Sequence, residues 1–115
     1  MALNKTLTIA GSDPSGGAGI QADIKTMSAL KCYASSVITA VVDENTCGVS
    51  GVFPVPPAFV QGQIRSVMDD IQPDAIKIGM VYSSELVNAI AASLKPYNIF
   101  VKMSFVFIPF NVLLS

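Results

Sequence analysis

Leu7-Thr8-Ile9-Ala10-Gly11-Ser12-Asp13-Pro14-Ser15-Gly16-Gly17-Ala18-Gly19 begins as a short apolar run and ends in a stretch dense in residues suited to turns and positive φ. It reads as a strand feeding a glycine-rich loop. From Ile20 the spacing turns helical: Ile20, Ile24, Met27 and Leu30 fall about one turn apart on one face, with Gln21, Lys25 and Ser28 on others. The loop therefore opens a helix. Downstream, Val37 to Val42 is a β-branched, nearly unbroken run, as expected of a strand buried on both faces of a parallel sheet, and it ends at a loop over Asp43-Glu44-Asn45-Thr46. Gly51 to Pro57 carries three prolines and predicts an irregular or edge segment before a helix from about Ala58 to Ile71, whose stripe is Val60, Ile64, Val67, Met68 and Ile71. Ala75 to Ile78 is a third strand, closed by Gly79-Met80. A helix follows that Ser83 or Ser84 caps, with Leu86, Val87, Ile90 and Leu94 inward. A fourth strand begins near Ile99. This alternation predicts an α/β fold, a parallel sheet with helices on its faces.

Composition narrows the function. Half of the 115 residues are hydrophobic (51%) and 13% are charged, which describes one compact unit and excludes disorder. The formal net charge is -1, from 7 basic and 8 acidic residues that never cluster, so no footprint for nucleic acid or an anionic membrane is present. Small-molecule chemistry is the better expectation. Cys32 and Cys47 form neither a metal pattern nor a disulfide framework, and the start resembles no signal peptide; a cytoplasmic location with reduced thiols is expected. The chain has no histidine, so proton transfer falls to carboxylates, thiols, lysines or tyrosines.

In an open parallel α/β sheet, ligands bind beyond the carboxyl ends of the strands, which here carry Gly11 to Gly19, Asp43 to Thr46, and Gly79-Met80. The first turn of the helix after the loop offers N–H groups to such a ligand. The loop is not a Walker A motif, because no Gly-Lys-Ser/Thr follows its glycines. Gly17-x-Gly19-x-x-Ala22 matches a relaxed dinucleotide fingerprint with Asp43 as ribose acid, yet six residues separate Gly17 from Ala10, whereas the fingerprint's first glycine directly follows its strand. Asp23 reads either as a first-turn helix acid or as a group facing the rim, Glu44 and Asn45 as ligand-bonding or turn residues, Met80 as ligand-facing or core, and Cys47 as a buried thiol rather than a nucleophile.

Residues 7–23 as a whole resemble the opening signature of hydroxymethylpyrimidine and hydroxymethylpyrimidine-phosphate kinases. The resemblance is reinforced by Ser36-Val37-Ile38-Thr39-Ala40, Asn45-Thr46-x-Gly48-Val49, Val55-Pro56-Pro57 and Pro73-Asp74-Ala75-Ile76-Lys77-Ile78-Gly79-Met80, and covers roughly residues 5–101. It implies a ribokinase-like fold and phosphorylation of an aminopyrimidine's hydroxymethyl group and then of the monophosphate, using ATP and magnesium (Mg), in thiamine biosynthesis. It also implies a homodimer, and a pyrimidine pocket lined by Gly11, Ala18, Asp23, Val42, Glu44 and Met80. Pyridoxal kinases are close relatives, which makes vitamin B6 compounds the alternative substrate. Glu44 departs from the family's usual glutamine. An ionised carboxylate cannot donate to a ring nitrogen, so pyrimidine recognition is expected to survive but to depend on pH.

After Val101 the family continues with Asp-Pro, where this sequence has Lys102-Met103-Ser104 and then an apolar run, Phe105 to Phe110. The expectation is an N-terminal half domain over residues 1–101 with a divergent tail over 102–115. That tail is an improvised edge strand rather than a membrane anchor, since it is far shorter than the ~20 residues of a span. A half sheet with an open edge predicts self-association. With the nucleotide site and anion hole beyond the matched part, the chain is expected to be catalytically inactive. Three readings stay open: a kinase that needs its other half, a non-catalytic pyrimidine-binding or regulatory fragment, and the product of a damaged gene.

Overall fold

A computed structural model of the chain describes residues 3–103; the tail expected over residues 102–115 lies outside them from residue 104 onward. Four parallel strands form the main sheet in the order β2-β1-β5-β6: β1 (Lys5–Ala10), β2 (Tyr33–Ile38), β5 (Ala75–Ile78) and β6 (Phe100–Met103). Between β2 and β5 in sequence, β3 (Ala40–Asn45) and β4 (Gly48–Pro54) pair antiparallel as a separate two-stranded sheet. The helices are α1 (Gly19–Ala29), α2 (Pro57–Asp70) and α3 (Ser84–Leu94).

Side chains alternate across each strand, and this sorts the two faces of the sheet. Leu7 and Ile9 of β1, Val37 of β2, and Ile76 and Ile78 of β5 join one apolar core with Val60, Ile64 and Met68 of α2 and Leu86, Ile90 and Leu94 of α3. The opposite face carries Thr8 and Lys77, and both bond to Asp23 of α1. The stripes expected for α2 and α3 are thus the ones buried. The α1 stripe is corrected at its end: Leu30 is 72% exposed, because α1 stops at Ala29 and Lys31, with φ 64°, turns the chain away. Cys32 N–H and Lys31 N–H close that turn on the carbonyls of Met27 and Ser28.

One strand expectation changes, and the edge segment expected at Gly51 is met. The run Val37 to Val42 is not one strand: β2 ends at Ile38, and β3 starts at Ala40 and leaves the main sheet. Val41 is half exposed there, and the β-branched run reflects two short elements with different partners. Gly51 to Pro54 is ordered as part of β4, since a two-stranded ribbon leaves one side of each strand free and a proline can sit on that side.

α3 starts as expected. Ser83 is extended and its hydroxyl oxygen accepts from Leu86 N–H at 3.1 Å, with Glu85 in the first turn. Ser83→Ala should lower unfolding stability by about 1 kcal/mol in a urea titration; an unchanged midpoint would show that water replaces the cap.

Candidate functional site

The β1–α1 loop is organised by Asp13, which is 4% exposed. Its carboxylate accepts from Ser15 N–H at 2.9 Å, from the Ser15 hydroxyl at 2.7 Å and from Gly17 N–H at 3.1 Å, and its own N–H donates to Gln21 Oε1 at 2.8 Å. The Ser15 hydroxyl is the main cause that holds the Asp13 carboxyl below the usual range; burial opposes it. The sequence reading missed Asp13 and Gln21. An aspartate two residues before a serine in a turn was the available signal.

Strand β3 is stitched to this loop: Ser12 N–H donates to the Ala40 carbonyl at 2.9 Å, and Val42 N–H donates to Ser12 Oγ at 3.0 Å. Alternation then points Ala40, Val42 and Glu44 inward and leaves Val41, Asp43 and Asn45 exposed. Glu44 therefore lies on a strand, not in the loop expected. On the third side, Gly79 N–H donates to the Ile9 carbonyl at 2.9 Å and brings Met80 alongside.

These three segments enclose a cavity of about 360 Å³ whose lining includes Gly11, Ala18, Val42, Glu44 and Met80, five of the six residues expected at a ligand pocket. Asp13, Lys77 and Tyr82 complete its polar wall. Asp23, the sixth, is not on the lining. It lies beyond the first turn of α1, and its carboxylate accepts from Thr8 Oγ1 at 2.6 Å and from Lys77 Nζ at 2.9 and 3.1 Å. Asp23 is thus neither a macrodipole acid nor a bare rim group; it anchors Lys77, whose side chain reaches the cavity. Of the N–H groups expected to face a ligand at the start of α1, that of Ile20 is taken by the Gly11 carbonyl at 2.9 Å. Asn45 proves a turn residue, its side-chain oxygen accepting from Cys47 N–H at 2.8 Å. Cys47 is exposed in that hairpin turn and away from the cavity, which corrects the buried thiol expected there.

Electrostatically the cavity is defined by two carboxyls. Glu44 shares the cavity wall with Asp13, and burial first, then the Asp13 charge, push its carboxyl above the usual range. Burial likewise raises the Tyr82 phenol, with the Glu85 charge adding to it; the Tyr82 hydroxyl donates to the Val55 carbonyl at 3.2 Å. The signs of linkage oppose each other. Glu44 stabilises the fold most below its ordinary range and loses this as pH rises, whereas Asp13 stabilises it above its ordinary range and loses this as pH falls.

The phosphomethylpyrimidine kinase family profile matches residues 13–107. The chain belongs to this family. Among phosphomethylpyrimidine kinases, the hydroxymethylpyrimidine/phosphomethylpyrimidine kinase of Salmonella typhimurium is 54% identical over 93 residues, 81% of this chain and 35% of that protein. The corresponding kinase of Bacillus subtilis is 46% identical over 97 residues, 84% of this chain and 36% of that protein. The chain thus spans about a third of the length of these relatives. The crystal structure of phosphomethylpyrimidine kinase from Clostridium difficile superposes with a TM-score of 0.84 at 50% identity, over 87% of this chain and 44% of that one. The pyridoxal kinase from Staphylococcus aureus, solved in complex with pyridoxal, superposes with a TM-score of 0.83 at 36% identity, over 94% of this chain and 41% of that one. The fold is therefore the ribokinase-like α/β fold, represented here by its first strands and helices. Among the described residues no helix is long and apolar enough to cross a membrane.

ATP and magnesium do not fit this cavity. A polyphosphate needs cations, whereas Asp13 and Glu44 present acid, and Lys77 on the lining is already paired with Asp23. The Asp13 oxygens are engaged by Ser15 and Gly17. Among the described residues no group of three or more His, Cys, Asp or Glu side chains is gathered for a metal.

Proposed function

We propose that this chain forms the substrate-binding part of a kinase that phosphorylates hydroxymethylpyrimidine and its monophosphate in thiamine biosynthesis, with ATP as phosphoryl donor. The observation that carries this reading is the convergence of the β1–α1 loop, β3 and the β5–α3 turn on one cavity of about 360 Å³, in a chain of the phosphomethylpyrimidine kinase family. The cavity is of the size that takes one small flat ring, with apolar walls and a few convergent polar groups. In this reading Val42 and Met80 pack on the ring, Ala18 and Gly11 leave room for it, and Glu44 bonds its polar edge. Asp23 contributes through Lys77, which it holds on the cavity wall. Phosphoryl transfer is assigned to the full-length kinase, where the donor site lies outside this cavity.

Pyridoxal is the second reading, supported by the 36% identical pyridoxal kinase solved with pyridoxal bound. Titration calorimetry of the 115-residue chain with hydroxymethylpyrimidine and, separately, pyridoxal tests both. Saturable one-to-one heat with the aminopyrimidine is expected. Saturation with pyridoxal alone would favour the second reading, and saturation with neither would overturn the assignment of this cavity.

A further inference from the structure

One flank of α3 is apolar and uncovered among the described residues. Leu86, Ile90 and Leu94 face the core shared with α2, and the adjoining flank of the helix carries Val87, Ala91 and Lys95. Because α3 is the crossover between β5 and β6, this flank overhangs the last strand of the sheet, beyond which no further strand or helix stands in the described residues. The result is an open groove of about 630 Å³, lined from the sheet side by Ile78, Val81 and Val101. Lys95, at the end of α3, is the one charged residue on its wall. The groove is separate from the ligand cavity and shares no lining residue with it. An exposed apolar surface of this kind calls for a cover.

We propose that the occupant of this groove is the chain's own segment 104–115, folded back from β6 as an extended strap across α3. Its point of departure is right: β6 ends at Met103, the register partner of Ile78, so the chain leaves the sheet beside a residue that lines the groove. Its length is sufficient. Val87 to Lys95 spans about 12 Å of helix, which about four residues of extended chain cover at ~3.3 Å each, and twelve residues leave the rest for the reversal. Its chemistry matches the wall, since residues 104–115 hold eight hydrophobic residues and no charged one. Water is a poor solvent for such a segment, and burying it desolvates no charge. Pro109, within the run, lacks the N–H that a helix interior or a central strand requires, which suits an extended strap on an apolar surface. A second copy of the chain offers the same kind of surface, yet the tethered segment meets the groove at the roughly millimolar effective concentration of a short linker. The strap therefore outcompetes the self-association that an open sheet edge by itself predicts.

The chain has no tryptophan, so a single one introduced into the segment reports on its own surroundings. Phe107→Trp and Phe110→Trp place it at positions of opposite parity, one of which meets the wall whichever way an extended strap lies. In the full chain at least one of the two is expected to emit at shorter wavelength than free tryptophan, unchanged over about a hundredfold dilution. Ala91→Glu charges the groove wall at an exposed helix position where glutamate is well tolerated, and should return that emission to the wavelength of free tryptophan with the far-ultraviolet dichroism retained. Should Ala91→Glu lose the dichroism, Val87→Thr, which keeps the side-chain shape and adds only a hydroxyl, should move the same emission in the same direction. Emission like that of free tryptophan in both variants overturns the proposal, as does a blue shift that the groove substitution leaves in place. A blue shift that disappears on dilution also overturns it and assigns the groove to a second copy.

Discussion

Replacing Gly19 by alanine is expected to lower the stability of the chain by about 2–4 kcal/mol and to weaken ligand binding at the cavity together with it. Gly19 is the first residue of α1 and has φ 59°, a conformation that costs an L side chain about 1–2 kcal/mol. A Cβ there would run into the Gly11 carbonyl oxygen and come within 3.3 Å of Asp13 N. The Gly11 carbonyl accepts from Ile20 N–H, so relief of the clash must move either the start of α1 or the Gly11–Asp13 wall of the cavity. A loss of this size is a large share of the ~5–15 kcal/mol that holds an ordinary domain together. Gly17→Ala is the control, because a Cβ at Gly17 meets only ordinary contacts, 3.8 Å from Asp13 Oδ2 and 3.9 Å from Ser15 Oγ. Urea titration and calorimetric binding of both variants separate the cases; equal midpoints for Gly19→Ala and the parent would show that the loop relaxes at no cost.

Ile9→Ala is the second large effect, expected at about 2–5 kcal/mol. Ile9 is fully buried in the middle of the sheet, facing Val37 on β2 and Ile78 on β5, and it belongs to the core shared with α2 and α3. Truncation leaves a cavity that paired strands on both sides cannot collapse into. The backbone of Ile9 is also a strut of the site, since its carbonyl receives Gly79 N–H and so positions Met80. A lowered urea midpoint with an unchanged slope is expected, accompanied by weaker binding. Binding that stays intact at full saturation of the folded fraction would show that the Gly79–Met80 turn is held by its backbone bonds alone.

Much of this architecture was legible because local chemistry and tertiary demand agree. The α2 and α3 stripes at helical spacing are the faces that became core, and Ser83 caps α3 because an extended serine before an apolar-periodic run has one ready acceptor for Leu86 N–H. Agreement failed where a residue's partner lies far away in sequence. The run from Val37 to Val42 has strand chemistry throughout, and nothing local says that β3 leaves the sheet at Ala40. The departure depends on Ser12, 30 residues from Val42, capturing the Val42 N–H. The Asp23–Lys77 pair was hidden for the same reason, because its two residues are 54 apart.

The sequence alone therefore determined the α/β class, the glycine-rich turn after β1 and the helix faces, since each follows from periodicity or turn chemistry, and its resemblance to the kinase family implied five of the residues that line the cavity. Only the tertiary structure decided that Glu44 sits on a strand and shares a cavity wall with Asp13, that Asp13 rather than a glycine organises the loop, and that Asp23 pairs with Lys77. Protonation and ion pairing depend on distance and desolvation between segments remote in the chain, and those quantities exist only once the chain has folded.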